Sequence, residues 1–132
     1  MLELYEQAEA RLLEALAAQE IEMGPENIAA AMSHWLIGLC RWRSGNPEAG
    51  RESMRRSSEI LLAVEGGDGF LHRFTRAQFL AEEDKTEDAE RDLWAALAAG
   101  LKPWTATLFL RLHPRSNEPA FRRLAEVVEQ GG

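Results

Sequence analysis

The chain has 132 residues, 45% of them hydrophobic and 28% charged, with a net charge of −7. That size suffices for one hydrophobic core, and that balance is globular rather than disordered. An acidic chain gains little from counterion release, so nucleic acid is not the expected partner.

The charge is segregated. Residues 1–32 hold seven acidic and one basic side chain, whereas residues 33–76 hold five acidic and seven basic. Residues 77–100 are again acidic, and residues 101–132 carry five basic against three acidic groups. No apolar run approaches the ~18 residues needed to cross a bilayer. The acidic opening MLELYEQAEA lacks the order of a signal peptide. A lone Cys40 fits a reducing compartment, so the expected location is cytoplasmic.

Long Ala/Leu/Glu/Arg runs between Gly, Pro and Asn breaks predict an all-α protein. The first helix should start at Leu2, with Leu4, Ala8, Leu12, Ala15 and Leu16 as its apolar stripe, and run to about Gln19 before the Met23-Gly24-Pro25 stop. Pro25 opens a second helix, which runs to Arg43 and is apolar almost all round from Trp35 to Cys40. It should therefore be packed on two sides. Ser44-Gly45-Asn46 ends it, and Pro47 starts a third helix reaching about Val64. After the break Gly66-Gly67-Asp68-Gly69, a fourth helix spans Phe70 to Glu83. Thr86 is the expected cap of a fifth, from Glu87 to Ala99. Lys102-Pro103 opens a short sixth helix that ends at His113-Pro114. A seventh starts near Ser116 or Asn117, and Gly131-Gly132 is its frayed end.

The chain repeats itself. AEARLLEAL (Ala8 to Leu16) and AERDLWAAL (Ala89 to Leu97) agree at five of nine places. Across the turns Trp35 maps to Phe74, Gly38 to Ala77 and Gly50 to Ala89, each 39 residues apart. Small residues recur where two helices about 8–10 Å apart leave no room for a branched side chain.

These marks resemble the tetratricopeptide repeat family, whose period is about 34 residues. Gly38, the Gly45-Asn46 turn, Gly50 and Ser57 carry the likeness in the first unit, and Ala77, Leu80, Ala89, Leu93 and Ala96 in the second. Arg41 falls where the family places an aromatic, and the closing proline is displaced to Pro103. The resemblance implies a short solenoid of about seven helices, read as one domain over residues 1–132. Its parts are an N-terminal helix (2–23), a first hairpin (25–64), a second hairpin (70–100) and C-terminal capping helices (103–130).

No motif points to catalysis, a cofactor or a metal. His34, His72 and His113 are scattered without metal-ligand spacing, and Cys40 has no activating neighbour. Gly66-Gly67-Asp68-Gly69-Phe70 is similar to the diguanylate cyclase signature, but that enzyme needs a larger mixed sheet-and-helix domain. The acidic run Glu82-Glu83-Asp84 lacks the spacing of a calcium loop.

The resemblance therefore implies binding of another protein or peptide through a concave face, with no membrane and no nucleic acid. Met32, Trp35, Leu39 and Trp42 form one stripe of the second helix, and Leu71, Phe74 and Gln78 correspond next door. Trp35, Trp42 and Phe74 would anchor the contact, and Arg43, Arg73 and Arg76 would orient it. The alternative for these residues is plain core. The carboxylate clamp of chaperone-binding relatives is not implied, because Trp35, Leu39 and Phe74 occupy its places. Adaptor, chaperone and immunity roles all fit. A self-associating homodimer is the second expectation, and a small-ligand sensor or enzyme the third.

Overall fold

Ala/Leu/Glu/Arg runs form helices throughout the computed structural model, which describes residues 2–131. The elements are α1 (Leu2–Met23), α2 (Ile28–Arg43), α3 (Pro47–Glu65), α4 (Phe70–Glu82), α5 (Thr86–Ala98), α6 (Pro103–Leu112) and α7 (Pro119–Gly131). No strand occurs among the described residues, and no helix there is long and apolar enough to cross a membrane. The chain divides into two compact units, one reaching to Val64 and the other beginning at Glu65.

Several boundaries differ from the sequence reading. α1 continues to Met23 rather than ending near Gln19, because Gly24, at φ +80°, is the first residue to leave helical geometry. The second helix starts at Ile28 rather than Pro25. Asn27 caps it, accepting from the Ala30 N–H at 2.8 Å while its amide donates to the Gly24 carbonyl at 2.8 Å. Those two bonds fix the turn and satisfy an amide left open at the helix start. Thr86 is the first residue of α5 rather than its cap, and α7 begins at Pro119 rather than Ser116 or Asn117. Gly131 closes α7, and Gly132 lies outside the described residues.

In the first unit, α2 is packed on two faces. Leu12 and Leu16 of α1 meet Ala30 and Ile37 on one of them. On the next face round, α3 crosses with backbone against backbone. A Cβ added at Gly38 would lie 2.5 Å from the Gly50 carbonyl oxygen, and one at Gly50 would lie 2.6 Å from that of Gly38. Any side chain there forces the helices apart. Arg41 spans the whole sandwich: its Nε donates to Glu9 on α1, and an Nη donates to the Ser53 hydroxyl on α3 at 2.9 Å. The position where the resemblance leads one to expect an aromatic thus holds a polar tie.

The second unit repeats the hairpin. At the turn the two hairpins match at a spacing of 39 residues: α2 ends at Arg43 and α4 at Glu82, and α3 begins at Pro47 and α5 at Thr86. The closing hydrogen bonds match as well. Gly45 and Asn46 donate to Trp42 and Arg41, and Asp84 and Lys85 donate to Ala81 and Leu80. This paired closure needs a left-handed residue at its corner, which Gly45 supplies at φ +100° and Asp84 at φ +60°. Ala77, Ala89, Leu93 and Ala96 are fully buried. α7 packs on α5 and α4, while α6 packs on α7. Leu101, Leu110, Phe121, Leu124 and Val127 complete that core.

Between α3 and α4 a distant side chain does the capping. Gly69 has none to offer, and the Glu65 carboxylate instead accepts from the His72 N–H at 3.1 Å. Gly69 also leaves room for that carboxylate, whose Oε1 would lie 2.7 Å from an added Cβ.

Two substitutions test this packing. Gly38→Ala is expected to destabilise the chain by about 2 kcal/mol or more, read from the urea midpoint, since overpacking typically costs about 1–3 kcal/mol. Glu65→Ala is expected to cost about 1 kcal/mol through the lost cap. An unchanged midpoint for Gly38→Ala would show that the helices do not touch there.

Candidate functional site

Of the groups that could carry chemistry, His34 and Cys40 stand on α2, His72 on α4 and His113 at the end of α6. Burial, and then the charge of Arg56, pushes the His34 imidazole below its ordinary value. Burial, and then Glu9, pushes the Cys40 thiol up, so its nucleophilic thiolate is disfavoured. His72 and His113 are buried. The His113 ring stacks on Phe121 at 4.2 Å, and its Nδ1 accepts from the Arg115 N–H at 3.0 Å. These contacts make it a packing and turn-fixing residue. Among the described residues no three His, Cys, Asp or Glu side chains gather as a metal site would need.

The ten residues expected to bind a partner fall into three groups. Trp35, Leu39, Phe74 and Gln78 are buried. Met32, Trp42, Leu71 and Arg73 are half-buried, and Arg43 and Arg76 are exposed. Within the first unit Trp42 lies under Arg51, whose guanidinium carbon is 4.6 Å from the ring centroid. Within the second, Arg73 donates to Asp68 at 2.6 Å. Arg76 grips Asp92 with two bonds of 2.6 Å, and that hydrogen-bonded pairing raises its already high pKa. Both arginines thus already hold a carboxylate of their own unit.

The sequence reading missed a different face. On α6, Ala106 and Leu110 turn into the core. Trp104 and Leu108, one turn apart, turn outward and are 70% and 46% exposed. A groove of about 360 Å³ lies between α6 and α7, and Thr107 and Arg111 of its α6 wall each stand three residues after Trp104 and Leu108 on the helix. Leu110, Phe121 and Ala125 contribute its apolar lining, while Arg111, Arg122 and Glu129 supply its charges. Thr107, Ser116 and Asn117 add hydroxyl and amide groups. Arg122 is steadied by donating its Nε to the Asn117 carbonyl at 2.7 Å.

The rest of this end is held by arginine bridges. Arg115 donates to both oxygens of Glu118 at 2.7 and 2.6 Å and to the Glu82 carbonyl at 2.8 Å, which fastens the α6–α7 turn to the end of α4. Arg123 ties α7 to Glu90 on α5 and bonds Glu126 at 3.0 Å. The groove therefore sits on a braced frame, with Arg111 and Arg122 exposed at its side. Such a face can hold an apolar side chain and a carboxylate at once.

The chain matches no protein-family model, no curated protein and no solved structure.

The position of Cys40 gives a direct check. A thiol-specific disulfide reagent at neutral pH is expected to modify the native chain far more slowly than the urea-unfolded chain. Equal rates would place the thiol at the surface with an ordinary pKa.

Proposed function

We propose that the chain is a non-enzymatic protein-binding module of tetratricopeptide-like hairpins, and that it offers the α6–α7 face to its partner. The observation that carries this reading is Trp104, 70% exposed on the helix that walls a groove with an apolar lining. A Trp ring brings about 150–250 Å² to a contact. At about 25 cal/mol/Å², covering its exposed part contributes roughly 2–4 kcal/mol. That is the scale of an interface hot spot.

The tetratricopeptide-like reading draws support from the 39-residue match of helix ends and closing hydrogen bonds between the two hairpins. Arg111 and Arg122 favour a partner segment that carries carboxylates along with its apolar residues. Trp42 and Arg43 in one unit, and Leu71 and Arg76 in the other, remain within reach of solvent. The sole thiol, Cys40, suits a cytoplasmic setting. Adaptor, chaperone and immunity roles would each use such a face.

Trp104→Ala tests the reading. The variant is expected to keep its helical circular dichroism and lose about 2 kcal/mol, roughly thirtyfold in affinity, for a protein partner recovered from the native host. Unchanged affinity would move the contact elsewhere.

A further inference from the structure

Resting on that reading of the α6–α7 face, we propose that its occupant is helix α1 of a second copy of this chain, so that copies join head to tail. α1 lays Leu12 and Leu16 on α2 and turns another face outward. There Ala10, Leu13, Ala17 and Ile21 follow one another at i, i+3, i+7 and i+11, all exposed, with Ile21 87% exposed. Glu3, Glu6, Glu14 and Glu20, also exposed, border that stripe. Alternating small and large residues let a second helix approach closely.

The receiving face has the matching chemistry. Trp104 and Leu108 stand outward on α6, Lys102 is exposed at its start, and Arg111 and Arg122 are exposed in the groove lining. Glu118 and Glu126, the acidic groups nearby, are already engaged by Arg115 and Arg123. Glu129 alone adds negative charge to the groove lining. α1 presents six glutamates against one arginine. An acidic, apolar-striped helix thus meets a basic, apolar face, and charge of opposite sign fixes the register of the contact. Ile21 and Trp104 are among the most exposed apolar residues of their own units. The two faces differ, so the contact is heterologous and every copy keeps one donor and one acceptor face.

The test uses the full chain in sedimentation velocity over a concentration series, with three designs. One carries Leu13→Glu and Ile21→Glu, which spoil the α1 stripe. A second carries Trp104→Ala and Arg111→Glu, which spoil the acceptor. A third carries Glu6→Lys and Glu14→Lys, which reverse charge at exposed positions without touching the fold. Wild type is expected to grow in mass with concentration, less so at high salt. Each design alone is expected to self-associate at least tenfold more weakly. An equimolar mixture of the first two is expected to form a one-to-one complex, because each keeps the face the other lacks.

A wild-type chain that stays monomeric throughout, designs that associate like wild type, or a mixture that stays inert would each overturn the proposal. A monomeric wild type whose Trp104→Ala variant still loses its host partner would reject the second copy and leave the binding face standing. Loss of neither would reject both.

Discussion

The close approach of two backbones at Gly38 and Gly50 is the constraint on which the first unit depends. Each glycine sits so near the carbonyl oxygen of the other that a single methyl group would collide with it. Helices that touch this closely fix their own crossing, and everything hung on them follows. Gly50 also lies close against the backbone and Cβ of Trp42, whose ring Arg51 covers. The adjoining face of α2 is left to α1, and Arg41 can then reach both neighbours at once. In the second unit Ala77 and Ala89 hold the corresponding positions, and both are fully buried.

The fold was largely legible because its punctuation is chemical. Gly45 and Gly100 end helices where a left-handed corner is needed, and Pro47 and Pro103 begin them. Asp84 was harder to recognise, since a non-glycine seldom takes that corner; its place, 39 residues after Gly45, is what explains it. Asn27 was overlooked because Pro25 already looked like a helix start, although the capping oxygen comes from Asn27. Glu65 left no local signal at all. It acts across seven residues, on a helix whose own cap position is a glycine.

The surface was less legible, for a physical reason. Periodicity shows that a helix has an apolar face, but a helix apolar all round does not reveal which side faces water. Trp35, Leu39 and Phe74 read equally as a groove floor or as core, and the structure buries them. Trp104 and Leu108 lie on a helix just as apolar, yet face outward while Ala106 and Leu110 pack inward. The cationic residues divided in the same way. Arg73 and Arg76 hold their own unit's aspartates, whereas Arg111 and Arg122 flank an open groove.

Nuclear Overhauser spectroscopy of the full chain tests the nesting of paired helices most directly. Cross-peaks are expected between the Hα protons of Gly38 and Gly50, and between the methyl groups of Ala77 and Ala89. Fully assigned spectra of a folded chain that lack both would contradict the account.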